Sequence, residues 1–317
     1  MPTYQNELVS EVAKYFDYLQ LEKGSSPLTI RNYKHYLGRF IEFVDDSVGA
    51  ISVEDISLDL IDRYRLRLAQ FTDRRGRGLS KKTQGFHMIA MRSFLKWLAK
   101  RDKAVISSEK IELPKVEDRQ IKFLTGEQID RLLNAPSLST IVGKRDKAIL
   151  EVLFSTGLRV SELTGLNRGQ IDFDRREFGI VGKGGRARVV FLSTRAADWL
   201  QLYLKARKDH YGPLFIRHRG KVDADMDDED VRISPRSLQR MVKKYVRKVK
   251  LPVDATPHII RHSYATDLLM AGADIRSVQE MLGHKNIVTT QVYTHVTNKR
   301  MREVHEAYHG KKQDEEN

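Results

Sequence analysis

The amino-acid sequence predicts a mainly α protein of two domains, the second of which also holds a small antiparallel β-sheet. Three observations lead there. Apolar residues recur at helical spacing through the first hundred positions, with no alternating stretch between them. A segment of mixed charge without a sustained period, residues 106–122, then separates this part from the rest. Beyond it, two β-prone runs flank the turn Gly182-Lys183-Gly184-Gly185, the pattern of a hairpin. The 317 residues therefore divide into a helical domain at 1–105, a linker at 106–122 and a second domain at 123–317.

In chain order, Leu8, Val12, Phe16 and Leu19 trace a first helix that Gly24 closes. Ser26 before Pro27 is an N-cap and first-turn pair, and it opens a second helix carrying Tyr33, Tyr36, Leu37, Phe40 and Val44. A third helix runs from about 58 to 71. Ser80 caps a fourth, with Met88, Met91, Phe94, Leu95 and Leu98 on its apolar side. In the second domain Thr125-Gly126-Glu127-Gln128 is a capping-box start. A helix follows at 148–154, then β-prone runs at 170–173, 178–181 and 189–192. Helices return at 194–207, 235–249 and 257–271, with shorter ones at 275–282, 288–294 and 300–308. The sequence contains no internal repeat.

Composition narrows the class. The net charge is +14 and the isoelectric point about 9.7. Residues 1–113 hold 19 basic and 15 acidic side chains, residues 114–317 hold 37 and 27. Six acids crowd positions 223–230 and three more the tail, so the rest of the second domain is more basic than its total implies. Such a surplus suits a polyanion. No apolar run approaches the roughly 18 residues needed to span a bilayer, and residues 1–11 lack the basic-then-apolar pattern of a secretory signal. The expectation is a cytoplasmic, nucleoid-associated protein without membrane contact. The absence of cysteine excludes disulfides, thiolate zinc sites and a cysteine nucleophile.

Four places in the second domain join unusual polar residues. In Ser155-Thr156-Gly157-Leu158-Arg159-Val160-Ser161-Glu162, glutamate stands three residues after arginine, on one face if a helix restarts there. A guanidinium braced by carboxylate suits a phosphate, and equally suits a structural ion pair. Lys183 occupies the hairpin turn beside Arg186 and Arg188; the Gly-Lys-Ser/Thr ending of a nucleotide-binding loop is missing. Thr256-Pro257-His258 starts a helix with Arg261 and His262 one turn on. The two histidines have the spacing of metalloprotease zinc ligands, but Ile259 stands where the catalytic glutamate belongs. A helix N-terminus with His258 and Arg261 favours an anion instead. Last come Leu282-Gly283-His284 and, nine residues after the histidine, Tyr293, which alone fits packing as well as chemistry. The acids at 223–230 lack the sixth-position glycine and closing glutamate of a calcium loop, and they belong on an outer loop or partner surface.

In their order and local settings these motifs closely resemble the tyrosine recombinase (phage-integrase) family. The matching text is Thr-Gly-Leu-Arg-Val-Ser-Glu-Leu at 156–163, the Gly-Lys-Gly-Gly hairpin, His-Ile-Ile-Arg-His-Ser-Tyr-Ala-Thr at 258–266, Leu-Gly-His at 282–284 and Val-Tyr-Thr-His at 292–295. In the first domain Ser26-Pro27-Leu28-Thr29 with Tyr33, and Ser80-Lys81-Lys82-Thr83 with Phe94, resemble the core-site-binding domain of Xer-type members.

The resemblance implies a C-shaped clamp on double-stranded DNA and cleavage through a 3′-phosphotyrosyl link, with Tyr293 as nucleophile. Arg159, Arg261 and His284 would meet the charge on the phosphate, His258 would take the phenol proton, Lys183 would protonate the leaving 5′-oxygen, and Glu162 would support them. Neither metal nor other cofactor is implied. DNA contacts are expected from Ser26, Thr29, Arg31, Lys81, Lys82, Thr83, Arg92, Arg186 and Arg188. Four protomers, alone or with a paralogue, would exchange strands through a Holliday junction and trade the tail from Met301 onward in trans. An Xer-like role in resolving chromosome or plasmid dimers is the first expectation. The integrase of a mobile element or virus, or a type IB topoisomerase-like relaxing activity, is the alternative.

Overall fold

The computed structural model describes residues 4–115, 123–182, 185, 187–218, 220 and 226–283. The chain divides into two compact units, Met1–Arg119 and Gln120–Asn317. Among the described residues no helix is long and apolar enough to cross a membrane.

The first unit is helical. Helix α1 (Tyr4–Leu21) buries Leu8, Val12, Tyr15 and Leu19. Its inward register thus takes Tyr15 where the spacing predicts Phe16, which is only partly buried. Tyr15 tolerates full burial because its hydroxyl donates to Ser93 Oγ at 2.7 Å. Helices α2 (Pro27–Ser47) and α4 (Lys81–Ala99) start on matching caps: Ser26 Oγ accepts from Thr29 N and Ser80 Oγ from Thr83 N. Between them lies α3 (Leu58–Gln70). Helix α4 packs against α1, α2 and α3 together, which is why Met88, Met91, Phe94, Leu95 and Leu98 are all buried. The segment predicted as linker begins inside this unit. Ile111 is buried in the same core, beside a 3-10 turn at Ser108–Lys110, and Pro114 lies against Gly85 of α4.

The second unit is built around α6 (Ile141–Thr156), which packs on α8 (Thr194–Ala206) and α11 (Pro257–Met270), with α5 (Gly126–Leu133) alongside. Helix α6 starts seven residues before the predicted 148. Residues 146–153 are buried without a break, so no polar face marks its period. Lys147 and Glu151 are buried as a pair at 2.7 Å, and Lys147 also donates to Leu133 O.

Strands β1 (Glu177–Val181) and β2 (Ala187–Phe191) form the antiparallel hairpin, with Ile180 opposite Arg188. The predicted strand at 170–173 does not form. Asp172 Oδ1 accepts from the backbone of Asp174 and Arg175, folding the chain into a turn, and only one bridge, Asp172 to Glu177, remains. Short α7 (Val160–Thr164) and α9 (Asp228–Val231) precede α10 (Pro235–Lys248), and α12 (Ile275–Leu282) packs on α11 and β2. The helices predicted at 288–294 and 300–308 lie outside the described residues.

Candidate active site

The site grows from the end of α6. Gly157 caps that helix in the left-handed region at φ +59°, and a Cβ there would lie 2.4 Å from the Tyr264 ring. The reversal buries Leu158 and delivers Arg159 to the start of α7. Glu162, one turn on, accepts from the Arg159 backbone N–H at 2.8 Å and from Arg159 Nη1 at 2.8 Å. One carboxylate thereby caps the helix and fixes the side chain that precedes it.

Two further arginines meet this pair. Arg188, from β2, donates Nη1 and Nη2 to the two oxygens of Glu162 at 3.2 and 2.9 Å. Arg261, from the first turns of α11, lies 4.0 Å from Glu162 and donates to Gly157 O and Leu282 O, each at 2.6 Å. Burial alone would raise the Glu162 pKa; the hydrogen bonds from Arg188 and Arg159 overcome it and hold the group below the usual glutamate value. Arg159 Nη2 reaches Gly283 O at 3.3 Å, so the C-terminus of α12 receives both Arg159 and Arg261. Cations belong at that end of a helix. Gly283 ends α12 at φ +64°, and the next residue in sequence is His284.

Exposure separates the arginines. The Arg159 side chain is 32% exposed, whereas those of Arg188 and Arg261 are 12% and 6% exposed. Arg188, expected from the sequence to contact DNA, has both of its Nη groups engaged by Glu162. His258 stands in the first turn of α11 with an exposed surface. Partial desolvation of its ring, then the charges of Arg261 and Arg159, lower its pKa from the ordinary 6.5. The shift favours the neutral ring, the form able to take a proton. His262, behind it, is partly buried and shifted the same way by burial, His258 and Arg261.

Lys183, Arg186, His284 and Tyr293, with the tail from Met301 and the acids at 223 and 225, lie outside the described residues. The remaining acids of that cluster are exposed, and Arg232 binds Glu229 at 2.7 Å while donating to Thr164 O and Leu166 O. In the first unit Arg31, Lys81 and Lys82 are exposed, Arg92 is partly so, and the starts of α2 and α4 carry no acid in their first turns. Ser26 and Thr29, like Ser80 and Thr83, pair their hydroxyls at 2.9 Å. The sequence predicts α10 as a helix, but its basic side is missing from the expected DNA contacts. Its exposed side carries Arg236, Arg240, Lys243 and Arg247, and the helix contains no acid. The 4-3-4 spacing of those cations was the available signal.

Residues 122–300 match the model of the phage integrase family, and residues 12–102 match that of the phage integrase N-terminal SAM-like domain. The chain belongs to the phage integrase family. Within it the chain is a tyrosine recombinase, an enzyme that breaks and rejoins DNA, of the Xer-like, site-specific kind. It is 35% identical over 314 residues to the tyrosine recombinase XerC of Pelotomaculum thermopropionicum, covering 94% of this chain and 97% of that one. It is 33% identical to the tyrosine recombinase XerD of Halalkalibacterium halodurans, covering 98% and 99%. The XerA recombinase structure matches at TM-score 0.51 and 27% identity over 96% of this chain and 99% of that one. An integrase of the transposon Tn1549, solved with transposon end DNA, shares the fold at TM-score 0.70 and 19% identity over 94% and 99%. The mainly helical architecture with a small sheet is thus that of recombinases.

Proposed function

We propose that this Xer-like recombinase cuts DNA with Tyr293 and that the braced arginines hold the scissile phosphate. The convergence of Arg159 and Arg261 on the end of α12, one residue before His284, carries this reading. Tyr293 Oη attacks phosphorus, forming a phosphotyrosyl bond as the bond to the 5′-oxygen breaks. The phenol proton passes to neutral His258, and Lys183 supplies one to the leaving oxygen. Charge gathering on the non-bridging oxygens is met by Arg159, with Arg261 and His284 around it. Reversal with a 5′-hydroxyl of another strand rejoins the DNA, so the phosphodiester energy is conserved and neither metal nor nucleotide is consumed.

In this reading phosphates of the duplex backbone are held by Arg31, Lys81, Lys82 and Arg92, with Ser26, Thr29 and Thr83 at the helix starts, by Arg186 in the turn, and by the basic side of α10. Four protomers, of this chain alone or with a paralogue, act on two sites through a Holliday junction and exchange the tail from Met301 in trans. The role in this reading is the resolution of chromosome or plasmid dimers. The deciding experiment traps the covalent complex on a nicked substrate and maps the modified peptide. A phosphonucleotide on Tyr293, absent in Tyr293→Phe with DNA affinity retained, is the expected result; an adduct persisting in Tyr293→Phe refutes it.

A further inference from the structure

We propose that Arg188 is a positioning residue of the cleavage reaction: its guanidinium, fastened to both oxygens of Glu162, fixes that carboxylate so that Arg159 presents its outer edge to the scissile phosphate. The inference rests on the reading of Arg159 as a phosphate ligand.

Glu162 is the carboxylate that these arginines share, and it receives two hydrogen bonds from Arg159 and two from Arg188. The two oxygens are equally loaded by this pair, each taking one bond from either arginine. That arrangement leaves the carboxylate no rotation that keeps its bonds. Arg188 itself is held from the other side. A Cβ on Gly283 would lie 2.7 Å from its Nη1 and 3.1 Å from its Cζ, so the guanidinium rests directly against the α12 cap. It arrives there from β2, cross-strand from Ile180. Arg188 thus joins three elements, β2, α7 and the end of α12, at one carboxylate.

Removing it changes both geometry and charge. Glu162 would lose two of its hydrogen bonds and would turn toward Arg159, drawing the Nη edge inward. The same carboxylate would neutralise Arg159 more completely and weaken its attraction for an anion. Lysine at 188 restores the charge but not the planar fork that loads both oxygens. Arg188→Lys therefore separates position from charge.

The test uses the full chain in single-turnover cleavage of duplexes with a normal or a methylphosphonate scissile group. The methyl group replaces one non-bridging oxygen and removes the charge that Arg159 meets. Arg188→Ala and Arg188→Lys should each cut normal DNA about 100-fold more slowly, with unchanged affinity and salt dependence. The deficit should shrink on the methylphosphonate, as it should for Arg159→Ala. The double variant Arg159→Ala/Arg188→Ala should be no slower than Arg159→Ala alone. If Arg188→Ala does not fold, Arg188→Lys alone carries the comparison. Deficits that multiply in the double variant, or that are equal on both substrates, overturn the inference. So does a weaker affinity accompanied by a salt slope shallower by about 0.9, the signature of a direct phosphate ligand. A full-rate Arg188→Lys beside a slow Arg159→Ala overturns it alone; a full-rate Arg159→Ala overturns the underlying reading as well.

Discussion

Arg261 donates Nη2 to the carbonyl of Leu282 at 2.6 Å, tying the start of α11 to the end of α12 across 21 residues. Its other Nη closes on Gly157 O, just past the last turn of α6. One buried guanidinium therefore joins three helix ends around the proposed phosphate site. Deep burial of that charge is tolerable because carbonyl dipoles at helix C-termini surround it.

Arg261→Lys should cost stability as well as cleavage. Lysine cannot bridge both carbonyls in that geometry, so one buried acceptor goes unpaired, a penalty of about 1–3 kcal/mol. Denaturant unfolding of the full chain should show the second unit melting earlier, and cleavage should fall with it. An unshifted transition would mean that the latch contributes nothing.

A pH profile isolates His258. Its folded pKa lies below the unfolded value near 6.5, so between those two values the unfolded chain binds more protons. The stability due to this group is complete above about pH 6.5 and is lost as pH falls through that window. As the proton acceptor, His258 should make the cleavage rate climb with pH below 6.5 and level off by neutrality. His258→Gln should remove that limb and lower the plateau by roughly 10²–10⁴. A variant that keeps the limb assigns the base elsewhere.

Binding through phosphates predicts a steep salt dependence, with log affinity falling by about 0.9 per phosphate neutralised for each decade of salt. Arg236→Ala and Arg240→Ala should each lower the slope by about that amount without touching the folded core, since both side chains are exposed on α10. Binding isotherms across a salt series decide this, and an unchanged slope removes α10 from the DNA surface.

What could be read from sequence depended on how far apart the partners lie. Ser26, Ser80 and Thr125 announce helix starts because a cap binds a backbone group two or three residues on. Arg159 and Glu162 are legible for the same reason. Arg188 is not: its carboxylate stands 26 residues away on another element, and a basic residue beside a turn reads as surface charge. The start of α6 was hidden by burial on every side, and the false strand at 170–173 by a side chain that captures its own backbone. The turn lysine is the hardest case, since its proposed role depends on substrate.

Lys183 as general acid makes the sharpest chemical prediction. A 5′-alkoxide leaves poorly without a proton, whereas a thiolate leaves unaided. General-acid help is worth roughly 10²–10⁴ in rate, so Lys183→Ala should cut ordinary DNA more slowly by about that factor. With sulfur at the 5′-bridging position much of the deficit should disappear. Arg159→Ala should gain no such recovery, because its partner is the non-bridging charge, which sulfur at the bridge leaves in place. Single-turnover rates on the two substrates give the comparison directly. Equal responses from both variants would take the proton donor away from Lys183 and leave that lysine a role in holding phosphate.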